Sequence, residues 1–195
     1  GVQYRNPDKA GDEREKMLDL RQKGQEARKS FTELAKTFQA SHPEWQLQQT
    51  SQWMNQAQRL RPHFWAYLQR DGQVTEPMMA LRLYGTPADF GISLEVSFIE
   101  RKKDEQTLDK QAKVLELPVV EGIYYLVYSD GQSQRWEANE ENRQILRNKL
   151  SNQEVRKVLV KIDVPITENS SEEEIVEALL KSYDKILPFY LATRN

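Results

Sequence analysis

The segment 80–103, ALRLYGTPADFGISLEVSFIERKK, limits the possible folds more than any other part of the chain. Ile92, Leu94, Val96 and Phe98 alternate with Ser93, Glu95, Ser97 and Ile99, the period of a strand with one buried face and one mostly polar face. Gly85, Thr86, Pro87, Ala88 and Asp89 supply a turn, and residues 78–84 supply the strand that precedes it.

Other segments read in the same way. Phe64, Ala66 and Leu68 alternate with Trp65 and Tyr67, and residues 123–128 form an aromatic and β-branched run. Residues 155–164 place Val158, Val160, Ile162 and Val164 on one strand face. Asp71-Gly72 and Asp130-Gly131 are hairpin turn signals. Helical spacing joins Ala27, Phe31, Leu34, Ala35 and Phe38 in a helix ending near Ser41. Ser41, Pro43 and Glu44 then make a capping box that predicts a second helix, carrying Trp45, Trp53, Met54, Ala57 and Leu60. A short helix around Leu108, Ala112 and Leu115 and a polar one over 139–150 follow. At the end, Ser171 and Glu174 cap an apolar stripe of Ile175, Val176, Leu179, Leu180, Tyr183, Ile186 and Leu187, expected to stop at Pro188.

The expected architecture is α+β: two N-terminal helices, a mostly antiparallel sheet of about five or six strands with helices packed on one face, and a C-terminal amphipathic helix. Residues 1–16, rich in charge and poor in large apolar groups, read as a flexible leader, with Met17 a natural start. Residues 17–195 then form one α+β domain with a helical arm over 17–61.

Composition narrows the chemistry. The absence of cysteine removes disulfides, thiolate nucleophiles and Cys-based metal sites. Apolar content of 38%, a formal charge of −2 and no long apolar run fit a soluble, bacterial-type protein, by default cytoplasmic, with no membrane partner. A net acidic chain does not grip nucleic acid with its whole surface, although a local basic patch can. Only His42 and His63 are available for imidazole chemistry, and no glycine-rich phosphate loop, dinucleotide fingerprint or Gly-x-Ser-x-Gly element is present.

Two sets of residues carry a possible site. Asp89, with Glu100-Arg101-Lys102 ten residues further on, matches the loose Asp then Glu-x-Lys pattern that resembles restriction-enzyme-like nucleases. That resemblance implies two carboxylates holding Mg²⁺ and a lysine placing the attacking water, with Glu95 as a further ligand. The competing reading has Asp89 bonding its own turn backbone and Glu100 closing a solvated strand end. Glu95 alone, if covered by helices, is a buried carboxylate with a raised pKa and a candidate catalytic acid or base. The second set is a binding surface. It comprises Tyr124 and Tyr128 on one strand face and the basic clusters Arg101, Lys102, Lys103 and Arg156, Lys157, Lys161. Large aromatics in a small sheet more often belong to its core.

Since the standard catalytic apparatus needs residues this chain lacks, the expected function is non-catalytic binding of a protein partner or a nucleic acid, with no cofactor and no metal. A Mg²⁺-dependent phosphodiesterase using Asp89, Glu100 and Lys102 is the alternative, and Mg²⁺ belongs to that reading only. A third, a small-molecule pocket lined by aromatics between sheet and terminal helix, ranks below both. Protein binding predicts an exposed apolar patch around Trp53 or Trp65.

Overall fold

In the computed structural model, which describes residues 2–61, 63–71, 76–86, 89–97 and 105–194, the hairpin expected from the 80–103 segment is the spine of the sheet. Strands β3 (Met78–Thr86) and β4 (Asp89–Ser97) pair antiparallel with Ala80 opposite Glu95, Leu81 opposite Leu94 and Thr86 opposite Asp89. Leu81, Ile92, Leu94 and Val96 enter the main core, whereas Ser93, Glu95 and Ser97 share the other face.

Around this hairpin lie β1 (Gln46–Leu47), β2 (Trp65–Gln69), β5 (Ile123–Ser129), β6 (Gln132–Glu137) and β7 (Lys157–Ile166). They complete a seven-stranded antiparallel sheet in the order β1-β2-β3-β4-β7-β5-β6. The last strand in sequence is thus inserted between β4 and β5. Its composition suits that position: Val158, Val160, Ile162 and Val164 are buried on one side, and Lys157, Leu159 and Lys161 on the other. A strand covered on both faces belongs at the centre of a sheet. Asp130 and Gly131 join β5 to β6 with φ of 51° and 74°, the double positive-φ turn that matches strand twist.

Among the described residues four α-helices accompany the sheet: α1 (Arg14–Ala40), α2 (Glu105–Ala112), α3 (Glu140–Ser151) and α4 (Glu172–Ala192). Helices α1 and α4 cross on the apolar face, where Phe38 meets Tyr183 edge-on at 6.1 Å, and α4 lies against β4 and β7. Gln111 of α2 donates from Nε2 to the carbonyls of Val96 (3.3 Å) and Val158 (3.0 Å), tying together the ends of two central strands.

Three local features depart from the sequence reading. The sheet has seven strands, not five or six, because the segment expected as a second helix contains β1 and turns. Ser41 ends α1 instead of starting a new helix. Trp45 is drawn to α4, donating to the Tyr183 hydroxyl at 2.8 Å and meeting the Tyr190 ring at 4.6 Å. Trp53 packs on Gly24 of α1 and Tyr4. Indoles drawn to two different elements, with the amides of Gln48 and Ser51 bonded to the carbonyls of Tyr67 and Trp65, override a local capping signal. Helix α4 also continues through Pro188, because Phe189, Tyr190 and Ala192 beyond it are buried. In the stretch read as a leader, Tyr4 is buried, its amide donates to Gln58 O at 2.7 Å, and Val2 O accepts from Leu60 at 2.8 Å.

Candidate functional site

The two faces of the sheet are chemically unlike. On the side away from the main core, strand alternation and register bring together Trp65 and Tyr67 of β2, Arg82 and Tyr84 of β3, Gly91, Ser93 and Glu95 of β4, Lys157, Lys161 and Asp163 of β7, Tyr124 and Tyr128 of β5, and Arg135 of β6.

Glu95 is the centre of this face. Its carboxylate is fully buried; Oε1 accepts from Arg82 Nε (3.2 Å) and Nη2 (3.0 Å), and Lys161 Nζ lies 3.0 Å from Oε2. Burial alone pushes a carboxyl pKa up, but the charges and hydrogen bonds of Arg82 and Lys161 outweigh it and hold Glu95 below the ordinary value. Arg82 is held above its own ordinary value by the same pairing, against the opposing effect of burial. This corrects the raised pKa expected from the sequence: Glu95 is buried, but its two cationic partners pin it as an anion. A carboxylate held ionised between two cations is a poor proton donor or acceptor near neutral pH.

A second knot lies beside the first. The Tyr124 hydroxyl donates to Asp163 Oδ1 at 2.7 Å, Arg135 Nη1 reaches Asp163 Oδ2 at 3.2 Å, and the Arg135 guanidinium stands 3.7 Å from the Tyr124 ring centre. Burial, then Asp163, drives the Tyr124 pKa far upward. Tyr124 is buried on the polar face of the sheet, outside the main core cluster. Tyr128 is half-buried, with the Lys157 ammonium 4.3 Å from its ring centre. Trp65, also half-buried, has the guanidinium groups of Arg61 and Arg82 at 4.8 and 5.3 Å from its ring. The Tyr84 hydroxyl lies over Gly91, where any Cβ would approach it to 2.5 Å; burial, then Asp163 and Asp89, raises its pKa to about 12.

His63 joins the same region. Leu83 N donates to Phe64 O at 2.8 Å, which extends the β2–β3 ladder and sets His63 on the Trp65 face, one rung beyond the Trp65–Arg82 pair. Its Nδ1 is enclosed and has no hydrogen-bond partner among the described residues. Burial, then the charges of Arg82 and Lys161, lowers its pKa.

Of the nuclease-like set, Asp89 and Glu95 lie among the described residues, and these two do not meet. Asp89 is exposed at the start of β4, on the same face as Glu95 but six residues away, about 20 Å along an extended strand. One ion does not bridge that distance, so Glu95 is no further ligand to an Asp89 site. Glu100, Arg101, Lys102 and Lys103 lie outside the described residues. Among the described residues no three His, Asp or Glu side chains cluster as a metal site. The basic cluster after β5 and β6 divides. Lys157 is buried on the polar sheet face, whereas Arg156 is exposed and lines a cleft of about 610 Å³ with Leu108, Asp109, Asp130, Leu150 and Glu154. Another cleft of similar volume lies beside Lys36, Gln39, Glu44 and Trp45, and neither involves Glu95.

Comparison with known proteins adds nothing to this geometry. No family model, no curated protein and no solved structure matches the chain. Sequence reasoning singles out Glu95, Tyr124, Tyr128 and Lys157, but not Arg82, Asp163 or His63. Arg82 sits in an ordinary Leu81-Arg82-Leu83-Tyr84 alternation, and only the Ala80–Glu95 register brings its guanidinium to the carboxylate. The one available signal is Lys161 between Val160 and Ile162, a lysine in a strongly apolar strand.

Proposed function

We propose that the chain is a non-catalytic binding module that takes a single-stranded nucleic acid on the polar face of its sheet. The observation that carries this reading is the composition of that face. Across it four cations, Arg82, Arg135, Lys157 and Lys161, stand among four carboxylates, Glu95, Asp163, Asp89 and Glu137, the first two of which are paired with Arg82, Lys161 and Arg135. Half-buried Trp65, Tyr67, Tyr84 and Tyr128 are interleaved with them. Cations beside ring faces are the recurrent equipment for backbone phosphates and unstacked bases. A protein partner fits less well. Trp53 is packed inside, and the exposed large apolar residues among those described, Val2, Val120 and Leu191, lie on three separate segments.

The test is fluorescence anisotropy with labelled single strands of about 12 nucleotides. Neutralising three phosphates weakens binding roughly 20-fold between about 50 and 200 mM salt, from a slope of about −0.7 per phosphate. Arg135→Gln should flatten that slope, and Trp65→Ala should remove about 1–3 kcal/mol of binding at any salt. Absence of binding at low salt overturns the proposal. Cleavage of the strand on adding Mg²⁺ replaces it with the phosphodiesterase reading through Asp89, Glu100 and Lys102.

A further inference from the structure

The charge on the polar face is not balanced where it is deepest. Arg82 and Lys161 share one carboxylate, with side-chain exposures of 29% and 8% against 1% for Glu95. Asp163, one rung along, is engaged by Arg135 and by the Tyr124 hydroxyl. One enclosed and one half-buried cation with a single shared anion leave an excess positive charge, and a buried charge without full compensation is costly unless something of opposite sign completes it.

Donors remain for such a group. Arg82 directs Nε and Nη2 at the single oxygen Oε1, which leaves both protons of Nη1 and one of Nη2 for another acceptor. Lys161 carries three protons, and its ammonium lies 3.0 Å from Oε2. One rung from Arg82 and two from Lys161, His63 has an enclosed Nδ1 without a partner among the described residues. In the neutral ring that nitrogen can carry the proton and donate it. An enclosed polar atom without a partner is rare enough to need a reason, and a missing ligand is one.

We infer that Arg82, Lys161 and His63 form a phosphoryl-anion subsite on the polar sheet face, in which Glu95 holds the cations apart and oriented while the anion completes their charge. The guanidinium and ammonium supply charge, and the imidazole supplies a neutral donor that fixes orientation. The subsite deepens the nucleic-acid reading, since a backbone phosphate is one source of such an anion; free inorganic phosphate is the other.

The two histidines of the chain make the test direct, because the imidazole resonances of His63 are read in the ¹H–¹⁵N spectrum with those of His42 as internal control. On titrating inorganic phosphate at constant ionic strength, the His63 signals should move and saturate while those of His42 stay. The melting temperature should rise with phosphate and not with chloride. His63→Ala should weaken the phosphate response by about ten- to a hundredfold, the loss of one donor to a charged group. Should that variant fail to fold, the wild-type spectrum alone decides. Phosphate that shifts His63 and displaces the single strand supports both subsite and nucleic-acid reading. Saturable phosphate binding without strand binding supports the subsite and overturns that reading. Strand binding with His63 unmoved and no competition from phosphate overturns the subsite and leaves the reading standing. A His63 spectrum indifferent to both overturns the subsite.

Discussion

Glu95 shows how one residue can be conspicuous in a sequence while its role stays hidden. A carboxylate in the middle of an alternating strand stands out; whether it is an acid, a ligand or a structural anion depends on what lies across the neighbouring strands. Here Arg82 comes from β3 and Lys161 from β7, and their combined field decides the matter against the opposing effect of burial. Removing the carboxylate leaves one enclosed and one half-buried cation facing each other. Glu95→Ala should therefore cost about 3–5 kcal/mol in urea unfolding, and adding Lys161→Met should recover part of that loss. A cost below about 1 kcal/mol would mean that water screens the triad as it screens a surface pair.

Among elements, identical local signals had different outcomes, and packing explains why. Ser41 with Glu44 and Ser171 with Glu174 are both capping boxes. Only the second starts a helix, with the Ser171 side chain accepting from Glu174 N at 3.1 Å. Behind Ser171 lies an apolar stripe at helical spacing that fits the sheet; behind Ser41 lies Trp45, which α4 draws away. Ser171→Ala should lower stability by ~1 kcal/mol, measured by thermal or chemical denaturation. Gly24 in α1 tests the opposite balance. Alanine is favoured there by about 1 kcal/mol on helix propensity, yet its Cβ would stand 2.7 Å from the Trp53 ring. Trp53 is itself buried against Tyr4, so the ring has little room to retreat. Gly24→Ala should be net destabilising, and a stabilised variant would show that the strap over residues 2–5 yields easily.

The whole molecule should register these groups in its pH profile. Glu95 and Glu76 are held below the ordinary carboxylate value of 4.5, and His63 below 6.5. For Glu76 the leading cause is the hydrogen bond from Lys110. In each case the unfolded chain binds protons more readily than the folded one, so stability rises with pH across the interval between the two values. Stability should thus fall as pH drops below 6.5, through His63, and again below 4.5, through the two carboxylates. On the alkaline side Tyr84 and Tyr125, raised to about 12 mainly by burial, favour the fold while protonated and withdraw that support above their unfolded value of 10. A plateau from about pH 7 to about pH 9 is expected in urea midpoints. His63→Ala should abolish only the first acid step. At this scale the division between sequence and structure is clear. Alternation, turn residues and the Ser171 cap act over a few residues, so the chain alone determined the α+β class, the β3–β4 and β5–β6 hairpins and the start of α4. The insertion of β7 between β4 and β5, the loss of a helix after Ser41 and the meeting of Arg82, Glu95 and Lys161 depend on contacts between distant segments. Those could be decided only when burying both faces of β7 fixed which strands lie side by side.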